Sequence, residues 1–121
     1  MRAVYIGADV KTLNITTLAI RLRWPDTTPE AAETAERGLE LIGEIAPDIV
    51  VMHPDFSDLS LGKAIQEIRR FSNVPLLVLS KATDKLEVVT SLELGADDYI
   101  KKPFGTREVI ARIRAVTRRA L

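Results

Sequence analysis

Three short apolar runs constrain this chain more than any other feature: AVYI (3–6), IVVM (49–52) and LLVL (76–79). A strand with one face in water alternates apolar and polar residues. A run that is apolar at every position is buried on both faces, the condition of a parallel strand covered by helices on either side. Between the runs the apolar period lengthens to that of a helix. Ile15, Leu18, Ala19 and Leu22 share one predicted inward face, as do Leu39, Ile42 and Ile45, and then Leu61, Ile65 and Ile68. A fourth helical segment, from about Asp84 to Leu94, stops at Gly95, a residue suited to closing a helix. A fifth begins near Thr106 and turns Val109, Ile110, Ile113 and Val116 inward and its arginines outward. DYIK (98–101) reads as a further strand. TTPEAAE (27–33) reads as a weaker one, placed at a sheet edge because Pro29 lacks an N–H for the ladder. The alternation predicts an α/β fold, a (βα)5 doubly wound five-stranded parallel sheet, with residues 1–121 forming a single domain.

Charge and composition narrow the function. Seventeen basic residues balance seventeen acidic ones, so the total charge predicts no bulk attraction to nucleic acid or to a membrane. The absence of cysteine excludes disulfides and thiolate metal sites. No apolar run approaches the ~20 residues of a membrane span, and no signal-peptide segment opens the chain, so the expected location is cytoplasmic. In doubly wound sheets the functional crevice lies at the carboxyl ends of the strands. That rule nominates Gly7-Ala8-Asp9, His53-Pro54-Asp55, Ser80-Lys81 and Lys101-Lys102-Pro103.

The segment LELGADDYIKKPFGTREVIARIRAVTRRA (92–120), with PDIVVM (47–52) and FSNVPLLVLS (71–80), resembles the response-regulator receiver domain, in its OmpR/PhoB subfamily. The resemblance spans essentially the whole chain and implies a flavodoxin/CheY-like fold. It also implies phosphotransfer chemistry. A carboxylate at the end of strand three attacks a phosphoryl donor to form an acyl phosphate. That carboxylate and an acidic pair after strand one hold Mg²⁺. A lysine preceding a cis proline and a Ser/Thr hydroxyl bind phosphoryl oxygens, and the hydroxyl is coupled to an aromatic residue on strand five.

Ser80, Tyr99, Lys102 and Pro103 match these family positions. The remainder departs from the pattern. Gly7-Ala8 stands where the acidic pair belongs, with Asp9 the nearest acid, and His53 stands at the acceptor position. Lys81 replaces the small residue that leaves room for the phosphoryl group, and the loop from His53 to Gly62 is one residue longer than is common in the family. The resemblance therefore implies a degenerate phosphorylation site (Gly7, Ala8, Asp9, His53, Asp55, Lys81) with no catalytic residue, metal ligand or cofactor, and a protein that is not an enzyme.

For His53, the only histidine, the plain reading is a neutral imidazole at a partly buried strand end. A phosphohistidine lacks a supporting donor geometry, and a metal role would rest on Asp9 and Asp55 alone. Asp55 lies two residues on and could be a displaced acceptor, but Pro54 and the long loop are expected to carry it away from the crevice floor. Asp9 or Asp55 is expected to supply a counter-charge for Lys102, with Lys81 in the phosphoryl pocket.

The resemblance further implies a homodimer through the helix 4–strand 5–helix 5 face. Asp98 and Arg112 match one of its charge pairs and Asp97 and Arg119 another, while Glu108 has lost its basic helix-four partner to Val88, with Lys85 one turn away. The arginines of the fifth helix suggest no nucleic-acid binding by this domain itself, since no DNA-reading motif accompanies them. The chain reads as a phosphorylation-independent, dimerising receiver that regulates transcription through an attached DNA-binding domain, responsive to a protein or ligand effector. Two alternatives stand beside it: a Mg²⁺-dependent receiver with Asp55 as acceptor, and a small-molecule sensor using the strand-end crevice.

Overall fold

The computed structural model describes residues 1–7, 9–81 and 84–119, the side chain of Arg119 excepted. Five strands alternate with five helices: β1 Arg2–Ile6, α1 Val10–Arg23, β2 Thr28–Ala32, α2 Ala35–Ile45, β3 Ile49–Met52, α3 Leu61–Arg69, β4 Leu76–Ser80, α4 Lys85–Leu94, β5 Asp98–Lys101 and α5 Thr106–Arg119. All pairings are parallel and the sheet order is β2-β1-β3-β4-β5. Every residue of β3 and β4 is buried, as their unbroken apolar runs require. β2 lies at the edge, where Pro29 pairs with Ala3.

Alternate residues of each strand feed two cores, one on either face of the sheet. Val4, Ile6, Val50, Met52, Leu76 and Val78 join Ile42, Ile65 and Ile68 of α2 and α3. Ala3, Tyr5, Ile49, Val51, Leu77 and Leu79 join Ile20 of α1 and Val109, Ile113 and Val116 of α5. Ile110 is only half-buried at the margin of this second core.

α1 corrects the sequence reading. Of the four residues expected inward, only Ala19 is buried; Ile15, Leu18 and Leu22 are exposed, and the buried positions are Thr16, Thr17, Ala19 and Ile20. Beneath the helix Tyr5 is fully buried with its hydroxyl near Thr17. Neither that hydroxyl nor those of Thr16 and Thr17 has a hydrogen-bond partner among the described residues, so hydrogen bonding does not explain the inward turn of the threonine side. α4 also departs from a simple amphipathic helix, since it buries only Ser91 and turns Leu86, Val89 and Leu92 to solvent.

Side-chain caps set the helix starts: Asp9 accepts from Thr12, Thr34 from Arg37, Ser60 from Lys63 and Asp84 from Leu86. At the other end of α4, Gly95 has φ 128°, a conformation that disfavours any side chain. The loop after β3 has a use of its own. It brings Asp58 to the N-terminus of α2, where its carboxylate accepts from the Ala35 and Glu36 amides at 3.0 and 2.9 Å. Those backbone bonds lower the Asp58 pKa, so its stabilising effect is present above the ordinary carboxylate range and is lost as pH falls through the lowered value. Asp58→Ala is expected to reduce the melting temperature by several degrees at pH 7. Melting curves at successively lower pH should show parent and variant converging below about pH 4.

Candidate functional site

The ladders of the sheet continue past the strand ends and draw four segments together. The Gly7 amide donates to the Ala32 carbonyl, that of His53 to Ile6 and that of Lys102 to Ser80, each at 2.8 Å. Gly7, His53, Ser80 and Lys102 therefore stand side by side at the carboxyl edge, as the strand-end rule expects. The Lys102–Pro103 bond is cis, as the resemblance implies.

Gly7 sets the left part of the site. Its φ is +82°, and a Cβ there would drive into the His53 carbonyl oxygen and lie 2.8 Å from Phe56 Cδ1. The buried ring of Phe56 thus fills space beside residue 7 that a carboxylate would need. Asp9, the nearest acid, is occupied as the N-cap of α1, its Oδ1 accepting from the Thr12 amide at 2.7 Å; this bond holds its pKa down. Mg²⁺ needs several hard oxygen donors, and these residues do not supply them. Among the described residues no three His, Asp or Glu side chains converge as a metal site. Ala8 lies outside the described residues.

His53 is 0 % exposed, and neither ring nitrogen has a hydrogen-bond partner among the described residues. Burial, reinforced by the nearby Lys102 charge, pushes its pKa down to about 4, against a weaker opposing pull from Asp9. The imidazole is neutral at physiological pH. The expected ion pairs are absent: among the described residues neither Lys81 nor Lys102 is salt-bridged to Asp9 or Asp55. Asp9 is held by its cap instead, and Lys81 is exposed. Asp55 is not carried away from the site. It lines a crevice of about 210 Å³ with Pro54, Leu79, Ser80, Lys81, Glu87 and Lys102.

Two residues acquire roles that the sequence did not disclose. Phe56 fills the space beside Gly7, signalled only by a glycine at a position usually acidic. Glu87 of α4 accepts a 2.6 Å hydrogen bond from the Tyr99 hydroxyl. Burial first, and then this carboxylate, push the Tyr99 pKa up to about 12, while Ser80 bonds to the same hydroxyl. A continuous polar path therefore runs from Ser80 in the crevice through Tyr99 to α4.

Beyond it, on the face of α4, β5 and α5, Arg112 pairs within the chain with Asp98 at 3.2 Å and with Glu108 at 3.9 Å. Asp97 is committed inward: its Oδ2 accepts from Arg69 at 3.1 Å and from the Leu76 amide at 2.8 Å. The Arg119 side chain lies outside the described residues.

Comparison with known proteins agrees with this architecture. The family model of the response regulator receiver domain matches residues 8–114. The chain belongs to the response regulator receiver domain family. It is 38% identical over 88 residues to the KDP operon transcriptional regulatory protein KdpE of Escherichia coli K12, covering 73% of this chain and 39% of that one. It is 43% identical over 88 residues to the probable transcriptional regulator ycf27 of Guillardia theta, covering 73% of this chain and 35% of the relative. The chain thus spans well under half the length of these curated relatives. Among solved structures, the BeF3-activated receiver domain of Klebsiella pneumoniae RstA superposes with a TM-score of 0.83 at 24% identity, covering 98% of this chain and 99% of that one. A receiver domain from Clostridium thermocellum gives 0.85 at 18% identity, covering 98% and 95%.

A folded state that refuses a proton its unfolded chain accepts loses stability as pH falls. For His53 the loss begins near the free imidazole value of about 6.5 and continues down to about 4. Denaturant titrations at pH 7.5 and 5 are expected to show the parent losing roughly 2 kcal/mol more than His53→Leu, which has no imidazole to protonate.

Proposed function

We propose that this receiver signals without phosphotransfer, as a dimerising module that regulates transcription through an attached DNA-binding domain in the cytoplasm. The observation that carries the reading is the packing of Gly7 against the His53 carbonyl and the Phe56 ring. It leaves no room for a side chain at residue 7, the first position of the expected acidic pair, while the expected acceptor position holds a buried neutral imidazole. The protein is then not an enzyme and needs no cofactor. What remains is the Ser80–Tyr99–Glu87 path, which ties the crevice to α4. A protein or ligand effector that favours one arrangement of this path would shift α4 relative to β5 and α5, provided that it binds the two arrangements unequally.

The exposed Leu86, Val89 and Leu92 of α4 give the homodimer face an apolar centre, with the Glu108, Arg112 and Asp98 charges beside it. Exposed charge pairs contribute only ~0.2–1 kcal/mol each, so the aliphatic residues supply affinity and the charges supply orientation. A second reading draws on Asp55, which lines the crevice beside Lys81 and Lys102 and would act as a relocated acceptor.

Intact mass after incubation with Mg²⁺ and acetyl phosphate separates the two. The expected result is no phosphoryl adduct; an adduct that disappears in Asp55→Asn would establish the second reading. Sedimentation tests the dimer independently. Leu86→Glu with Val89→Glu is expected to weaken self-association about tenfold or more, and unchanged sedimentation would refute this interface.

A further inference from the structure

The charges of this chain cancel in total, seventeen against seventeen, but not in space. α1 contains Lys11, Arg21 and Arg23 and no acidic residue. On α5, Arg107, Arg114 and Arg118 recur at i, i+7 and i+11 and form one exposed stripe. Arg112, which reaches Asp98 of β5, marks the flank of α5 nearest the sheet edge. The arginine stripe lies opposite the buried Val109, Ile113 and Val116, on the outward face of α5, and α1 is the helix packed beside it. Glu108, the one acid of α5, belongs to the Arg112 flank.

Within this basic region runs an aliphatic ridge. Val10, Leu18 and Leu22 are 73, 67 and 73% exposed, and Ile15 is 50% exposed. Lys11, Ile15, Leu18 and Leu22 recur at helical spacing along the outermost line of α1. Arg21 is steadied on one flank by bonds to the Thr27 carbonyl, and Arg23 stacks over Trp24 at the C-terminal end, 5.3 Å from the ring centroid. Asp9 and Asp26 lie beyond the two ends of the helix.

We propose that the outer faces of the neighbouring helices α1 and α5 form a peripheral docking surface for anionic phospholipid. The occupant must bring both negative charge and an apolar layer. A second copy of the chain would set cations against cations. A nucleic acid would meet the arginines but leave the aliphatic ridge without an apolar partner. A protein groove would have to be acidic across the width of two helices to match a rim of a single sign. A bilayer containing anionic lipid supplies phosphates at the height of the rim and an acyl boundary below it, which a convex ridge of Leu, Ile and Val can enter. The proposal departs from the expectation drawn from the neutral total charge.

The test is flotation of the chain with vesicles of phosphatidylcholine, with and without phosphatidylglycerol. Binding is expected only with phosphatidylglycerol, and it should fall steeply as salt is raised. Leu18→Glu with Leu22→Glu, and separately Arg114→Glu with Arg118→Glu, are each expected to lower the bound fraction about tenfold. Circular dichroism and melting curves establish that both variants are folded, since all four positions are exposed. No binding to anionic vesicles overturns the proposal and leaves an acidic protein groove as the occupant. Binding that ignores the Leu18 and Leu22 changes overturns it too, since charge alone would then account for it.

Discussion

The close approach of the β1 and β3 ends governs this molecule. Gly7 takes a positive φ and presses its backbone against the His53 carbonyl, with the Phe56 ring closing the gap. No side chain can be introduced at residue 7 without moving backbone, which has little freedom between two central strands. The same contact that closes the top of the sheet therefore excludes a side chain at residue 7, and the Phe56 ring takes the space beside it.

The consequences extend outward. With Phe56 seated over Gly7, the loop after it runs on to place Asp58 against the α2 amides, so this loop is used to hold a helix. His53 is left with neither a hydrogen-bond partner among the described residues nor a proton, a burial that a neutral imidazole tolerates and an imidazolium does not. On the other side of the crevice, Ser80, Tyr99 and Glu87 remain hydrogen-bonded to one another. Arg69 provides a rigid corner below them: it binds the Gly95, Ser72 and Val74 carbonyls and the Asp97 carboxylate, tying α3 to the start of β5.

Much of the fold was legible because the strands are buried on both faces. IVVM and DYIK coincide with β3 and β5, and Pro29 rightly placed β2 at an edge. α1 was not legible. Its more apolar side faces water, while Thr16 and Thr17 are buried beside Ala19 and Ile20. Hydrophobic periodicity assumes that the greasier side faces inward, and this helix does the reverse. The site was half legible. Motif spacing located Gly7, His53, Ser80 and Lys102 at one edge, but among the described residues no direct lysine–aspartate ion pair forms there: Asp9 caps α1 and feels the Lys102 charge only at a distance.

The sequence by itself determined the parallel sheet, its layering by helices and which residues gather at its carboxyl edge, because burial on both faces and the alternation of strand with helix follow from local patterns of apolar residues. Only the tertiary structure decided which polar groups find each other: Glu87 with Tyr99, Asp97 with Arg69, and Asp58 with α2. Such pairings join residues distant in the chain, and a neutral total charge carries no trace of them. Electrostatic and hydrogen-bonding energies depend on separation and burial, which exist only once the helices have been laid on the sheet.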